Sequence, residues 1–143
     1  MALLFAEQDR QEVPLERVPP VVQQAVLTIE DRDFYDHRGV SVRAGVRALK
    51  TNTETGGISQ GGSTITQQLV KNSITGGSRT LDRKVREGVL AIQLEHQMSK
   101  HDILERYLNT VYQGHGAYGV QAGAEPYWGM NVGGLGREGA ARL

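Results

Sequence analysis

Gly61-Gly62-Ser63-Thr64-Ile65-Thr66-Gln67-Gln68-Leu69-Val70-Lys71-Asn72 is the stretch on which the reading of this chain turns. A helix built only for a core has no use for three hydroxyls, two amides, a lysine and an asparagine behind paired glycines. Thr64-x-x-Gln67 matches a capping box, in which each side chain satisfies the other residue's backbone N–H, so a helix start is predicted inside the stretch. Backbone N–H groups at such a start are expected to point at a nearby anion.

Upstream stands Glu30-Asp31-Arg32-Asp33-Phe34-Tyr35-Asp36-His37-Arg38-Gly39, and downstream Arg83-Lys84-Val85-Arg86-Glu87. From Lys71 to Arg86 the cations Lys71, Arg79, Arg83, Lys84 and Arg86 face a single acid, Asp82, although the whole chain has a formal net charge of +0. A basic cluster in a neutral protein fits a discrete anion such as a phosphate, or else a solvated helix face. Zero net charge argues against a general nucleic-acid footprint. The absence of cysteine excludes thiol catalysis, disulfides and cysteine-ligated metals. No apolar run approaches the ~20 residues of a membrane span.

With 143 residues the chain can form one domain with a core. Pro19-Pro20 can open a helix that carries Val22, Ala25, Val26 and Ile29 at helical spacing as far as Glu30. Residues 7–20 read as an extended lead-in. Ser41 can cap a helix to about Lys50, and 51–62 read as a loop. Gly76-Gly77-Ser78 breaks the signature helix. Leu81, Val85, Val89 and Ile92 form one stripe of a long helix to about Met98. Ser99-x-x-Asp102 opens another, with Ile103, Leu104, Tyr107, Leu108 and Val111 inward. A turn follows at 114–119, then a short helix to about Ala124 limited by Pro126. Strand patterns are otherwise absent, so the expected class is mainly α. The opening Met1-Ala2-Leu3-Leu4-Phe5-Ala6 is too short for a signal peptide, and Arg137–Leu143 reads as a helix start without a cap.

Two carboxylates stand out. Partial burial of Glu30 at a helix end would suit it to general-base work, against the plainer reading of an exposed helix-end acid. Glu87, at i+4 from Arg83 and i+3 from Lys84, is either an ordinary helix ion pair of about 0.2–0.5 kcal/mol or an acid that orients the cations of a site. Lys71, Arg79 and Arg86 suit a diphosphate, and Gln67 and Gln68 suit sugar hydroxyls, acetamido groups and phosphate oxygens. His37 is expected to fix the loop that presents Glu30, and Phe34 or Tyr35 to be core or to line the site. Other chemistries fail at particular residues. A phosphate-binding P-loop would need lysine where Gly62 stands. The four histidines show no HExxH pattern, so a zinc site is not indicated, and Ser63 has no nucleophile elbow around it.

Taken together, these blocks resemble the peptidoglycan glycosyltransferases of family 51, the transglycosylase domains of bifunctional penicillin-binding proteins and the monofunctional enzymes. The resemblance runs from about Pro14 to Leu143 in five ordered motifs: Glu30-Asp31-x-x-Phe34-x-x-His37-x-Gly39; Gly61 through Asn72; Arg83-Lys84-x-x-Glu87; Ile103-Leu104-Glu105-x-Tyr107-Leu108-Asn109; and Tyr127-Trp128-Gly129. The resemblance implies that Glu30 is the base that deprotonates the acceptor sugar, lipid II, for inverting attack on the growing glycan, whose undecaprenyl diphosphate leaves. It implies that Glu87 is the second essential carboxylate, that Lys71, Arg79 and Arg86 hold the diphosphate, and that Lys84 is a further substrate-binding residue. It further implies that Asp31, Phe34, His37, Ser63, Thr64, Gln67, Gln68 and Tyr112 serve substrate binding. No metal ligand set is visible, although Mg or Mn can assist some members at the diphosphate.

The implied fold is a lysozyme-like helical lobe with a small membrane-associated jaw at about 41–61 and 73–78, in one partial domain over 1–143, C-terminally truncated relative to the family. Jaw contact with lipid rests on the resemblance alone. The implied setting is the outer face of the bacterial cytoplasmic membrane, with lipid II, glycan, the membrane surface and a transpeptidase domain or other cell-wall proteins as partners. A lysozyme-like glycan hydrolase and a non-catalytic lipid II-binding or scaffold module are the competing readings. The diphosphate-type cations argue against the first and the two intact carboxylates against the second.

Overall fold

A computed structural model describes residues 12–56, 62–73, 81–110, 112–114 and 117–118 of the chain. In order, these form a 3-10 turn at Leu15–Arg17, then α1 (Pro20–Glu30), α2 (Val42–Thr55), α3 (Ile65–Ser73), α4 (Leu81–Gln97) and α5 (Lys100–Thr110). Two short antiparallel strands follow, β1 (Tyr112–Gly114) and β2 (Ala117–Tyr118), with Tyr112 opposite Tyr118 and Gly114 opposite Ala117. The described chain is thus mainly helical. The chain divides into two compact units, Met1–Ile29 with His101–Leu143, and Glu30–Lys100.

In the first unit, Leu15, Val18, Val22, Leu27, Ile103, Leu104, Tyr107 and Leu108 are buried. The α5 positions follow the predicted stripe. On α1 the stripe shifts: Leu27 is buried, whereas Ile29 faces solvent. The lead-in is not simply extended. Gln23 Nε2 donates to the carbonyls of Leu15 and Val18 (3.0 and 2.9 Å), which holds the 3-10 turn closed. The Glu105-x-x-x-Asn109 spacing explains itself here. Asn109 accepts from Val13 N–H and donates to Val13 C=O, both at 2.9 Å, and Glu105 accepts from Leu15 N–H at 2.7 Å. Residues one turn apart on α5 thereby clamp the incoming strand of chain.

The second unit carries the candidate site. Ser41 accepts from Ala44 N–H at 3.0 Å and caps α2 as its type predicts. The helix runs five residues beyond the expected end at Lys50, to Thr55. Thr53 returns its hydroxyl to Lys50 C=O (2.7 Å), Lys50 faces Glu54 at 3.8 Å, and Gly56 at φ +67 closes the helix in the left-handed conformation. These local bonds outweigh the weak helix preference of a Thr- and Asn-rich segment. Gly62 approaches α2 so closely that a Cβ there would lie 3.3 Å from Ala48 Cβ and 3.2 Å from Gly45 Cα.

Helix α3 packs against α4, whose stripe of Leu81, Val85, Val89 and Ile92 faces solvent. The inward face of α4 is small and polar instead, with Glu87 and Ala91 buried and the Glu95 side chain 5% exposed. Gly88 opens that face to Val40 and Gln67, and Gly39 presses onto the backbone of Ala91 and Ile92. The expected glycine break at 76–78, Val111, the short helix near Ala124 and the motif at 127–129 lie outside the described residues.

Candidate active site

The N-terminus of α3 organises the site. Thr64 N–H donates to Gln67 Oε1 (2.9 Å) and Thr64 Oγ1 accepts from Gln67 N–H (3.1 Å), the reciprocal pair of a capping box. The Thr64 hydroxyl then donates to Gly39 C=O at 2.6 Å, tying the helix start to the turn after Glu30. Ile65 N–H donates to Asp31 Oδ2 at 3.0 Å. The anion that Ile65 N–H meets at this helix end is therefore the protein's own Asp31 carboxylate. A fixed carboxylate there satisfies orphan donors and complements the helix dipole.

Asp31 Oδ2 also takes the Nε2 proton of His37 at 2.8 Å, because an ionised carboxylate can only accept. The turn between them wraps Phe34, which is 0% exposed and makes edge-on contacts with Tyr35 and His37 at centroid distances of 5.1 and 6.1 Å. Lys100 Nζ lies 4.3 Å from the centre of the Phe34 ring. Tyr35 is exposed.

Burial sorts the sequence candidates into two groups. Asp31, Phe34, Thr64 and Gln67 are buried, and Asp31 Oδ2, the Thr64 hydroxyl and Gln67 Oε1 are bonded inside the protein, so these groups shape the site. The His37 side chain, 7% exposed, belongs with them.

Glu30, Lys71, Lys84 and Arg86 are exposed, and Ser63 and Gln68 are half-buried. Glu30 is thus not partly buried as the base reading anticipated. It ends α1 beside the solvent-facing Ile29. Its Oε2 accepts from Gln68 Nε2 at 2.9 Å. Gln68 and Lys71, three apart, share one face of α3, so the carboxylate, the amide and the cation follow one another along it.

On α4, Glu87 is 3% exposed and meets Arg83 Nε at 3.0 Å and Lys84 Nζ at 3.8 Å. The Arg83 approach is off-line for a hydrogen bond, so the attraction is that of an ion pair. Two cations around a buried carboxylate offset part of its desolvation, and removal of the carboxylate would leave them crowded. Lys84 Nζ also donates to Ser63 Oγ, which links α4 to the first turn of the signature stretch. Arg79 lies outside the described residues, and of Tyr112 only the backbone, in β1, is described.

Sequence reasoning passed over Glu95, Thr66 and Lys100. Thr66 donates to Glu95 Oε1 at 2.6 Å, and Lys100 Nζ reaches the same oxygen at 2.8 Å. The signal was available in the spacing: Glu87, Ala91 and Glu95 fall four apart on one face of α4. Among the described residues the three-ligand cluster able to hold a metal is Glu16, His101 and Glu105, in the first unit, with Glu30 and Glu87 not part of it. There His101 pairs with Glu16 at 2.8 Å, which raises the imidazole's affinity for its proton, while the Glu16 carboxyl is held below its usual range first by a backbone hydrogen bond and then by His101.

The helical fold presents an exposed carboxylate and a cation-bearing helix face, with a second carboxylate buried among cations, an arrangement suited to a protein that handles anions. The chain matches the transglycosylase family model over residues 2–143, and it belongs to that family. It is 46% identical over 136 residues to penicillin-binding protein 1A of Aquifex aeolicus, a match that covers 95% of this chain and 19% of that protein. It is 44% identical over 128 residues to penicillin-binding protein 1A of Escherichia coli (90% and 15%). It is 41% identical over 132 residues to penicillin-binding protein 1F of Bacillus subtilis (92% and 18%). The chain spans less than a fifth of the length of these relatives.

Proposed function

We propose that this domain is a peptidoglycan glycosyltransferase that polymerises lipid II into β-1,4 glycan with release of undecaprenyl diphosphate. The observation that carries the reading is the exposed Glu30 carboxylate, oriented by Gln68 and anchored through its neighbour Asp31 to the start of α3. A base must reach its substrate's hydroxyl, and a solvent-facing carboxylate aimed by one amide leaves lone pairs for that proton. Glu30 takes the proton of the acceptor 4-hydroxyl as that oxygen bonds to the donor C1. The bond from C1 to the diphosphate oxygen breaks on the opposite face, so the anomeric centre inverts. Lys71 and Arg86, with Arg79, meet the charge that develops on the departing diphosphate. Glu87 holds Arg83 and Lys84 in place beside it. A divalent ion such as Mg or Mn would take its ligands mainly from the diphosphate oxygens.

The reading includes a jaw at the membrane surface and a location at the outer face of the bacterial cytoplasmic membrane. Support comes from α2, where Val42, Val46 and Leu49 stand 79, 62 and 67% exposed along one face, flanked by Arg43, Arg47 and Lys50. An apolar stripe with basic flanks suits an anionic interface. Among the described residues no helix is long and apolar enough to cross a membrane. The growing glycan and a transpeptidase domain or other cell-wall synthesis proteins complete the proposed partners. The test is incubation with labelled lipid II. Longer glycan and free undecaprenyl diphosphate are expected, and neither from Glu30→Gln. Shortened glycan would identify a hydrolase, and equal product from both proteins would remove Glu30 from its role.

A further inference from the structure

We propose that Glu95 is a positioning residue that sets the Glu30–Gln68 geometry through a ring of buried polar groups. The proposal rests on the reading of Glu30 as the base. Glu95 Oε1 accepts from the Thr66 hydroxyl at 2.6 Å and from Lys100 at 2.8 Å, and it lies 3.8 Å from His37 Nδ1. On its far side the same imidazole donates to Asp31 at 2.8 Å, and Asp31 accepts from Ile65 N–H at 3.0 Å. Ile65 and Thr66 are consecutive, so the groups run in a ring from Glu95 to His37, Asp31, Ile65, Thr66 and back to Glu95, hydrogen-bonded or covalently joined except at the 3.8 Å approach of His37 Nδ1 to Glu95. It joins three parts of the second unit: the turn after α1, the first turn of α3, and the last turns of α4.

Both members of the functional pair hang on this ring. Glu30 is the residue before Asp31, and Gln68 lies three residues beyond Ile65, less than a turn along α3. With Asp31 and Thr66 both fixed, the backbone distance across which Gln68 reaches Glu30 is fixed. The buried location raises the stakes of each bond, because an unmade one leaves a desolvated polar group. One such group already exists. His37 Nδ1 has no hydrogen-bond partner among the described residues, and the Glu95 carboxylate lies 3.8 Å from it. Loss of the Glu95 charge removes the carboxylate that holds Lys100 and lies against the imidazole edge. Residues that orient metal ligands from behind typically cost about 10–100-fold in activity when removed, and a loss of that order is expected for a carboxylate oriented in the same indirect way.

The experiment uses three variants. Thr66→Val removes the hydroxyl at nearly constant shape, Thr66→Ser keeps it, and Glu95→Gln keeps an acceptor but loses the charge. The first readout is independent of turnover: the side-chain amide resonance of Gln68 in the 15N-labelled protein, with Glu30→Ala marking the position of an amide that has lost its acceptor. Glu95→Gln and Thr66→Val are expected to move the signal toward that mark, and Thr66→Ser to hold it near the parent position. The second readout is glycan synthesis, with kcat expected to fall about 10–100-fold in the first two variants, KM within about twofold, and Thr66→Ser restoring kcat. A Gln68 signal unmoved in folded Glu95→Gln, or in Thr66→Val where Glu95→Gln fails to fold, overturns the proposal. So does a loss confined to KM. A parent chain that makes no glycan counts against the function proposed above, while the Gln68 signal still decides the role of Glu95.

Discussion

Replacement of Gly39 by alanine would test how the turn that presents Glu30 is seated. Gly39 has φ +92, and a Cβ on it would lie 2.6 Å from Ala91 C and Ile92 N and 2.7 Å from Ala91 O. All three atoms are helix backbone, so no flexible side chain can swing away. A side chain held at such a φ costs about 1–3 kcal/mol. Overpacking against a surface that cannot yield costs about 1–3 kcal/mol more. The expected loss is roughly 2–6 kcal/mol, against a stability of about 5–15 kcal/mol for a typical domain. For a chain of this size that corresponds to a fall in Tm on the order of 10 °C. Gly45→Ala is the internal control. It sits inside α2 with nothing within 4 Å of the added Cβ, and should stabilise by up to about 1 kcal/mol. Urea denaturation of both variants beside the parent measures the difference. A Gly39→Ala protein within about 0.5 kcal/mol of the parent would refute the claim that this contact seats the turn.

Other outcomes follow from the same geometry. Thr64→Ala should cost about 1–2 kcal/mol in urea denaturation, because it removes a cap and strands the Gly39 carbonyl, whereas Thr64→Ser should cost little. Glu16→Gln should return the His101 pKa, read by NMR titration, toward its ordinary value. The raised imidazole of His101 favours the folded state below its unfolded pKa and loses that contribution as pH rises through the folded value. The lowered Glu16 carboxyl favours it above its unfolded pKa and loses that as pH falls through the folded value, so the pair stabilises most at mildly acidic pH. The double substitution Val46→Glu with Leu49→Glu should weaken co-sedimentation with vesicles rich in anionic lipid, and unchanged binding would remove α2 from the proposed membrane face.

Local rules were enough wherever a structure is made by neighbours in sequence. The capping box at Thr64 and Gln67, the Ser41 cap, the helix opened by Pro20 and the buried face of α5 follow from side chains that meet within one turn. The ordered motifs likewise pointed to the transglycosylase family, because the residue types and their order are sequence properties. The end of α2 was misplaced because a glycine cap at Gly56 and a threonine back-bond decide it, not average propensity. What periodicity could not supply was the side on which each face would find a partner. The apolar stripe of α4 faces solvent, while its face of Glu87, Gly88, Ala91 and Glu95 meets α3 and the Gly39 turn. Only the packing of segments distant in sequence could reveal that Asp31 serves as the anion of α3, that Glu30 stands exposed, and that Glu95 joins a ring with His37 and Thr66. A sequence lists the groups that can carry charge or donate a proton. Which of them keep those atoms for a substrate depends on which bonds the folded chain has already made.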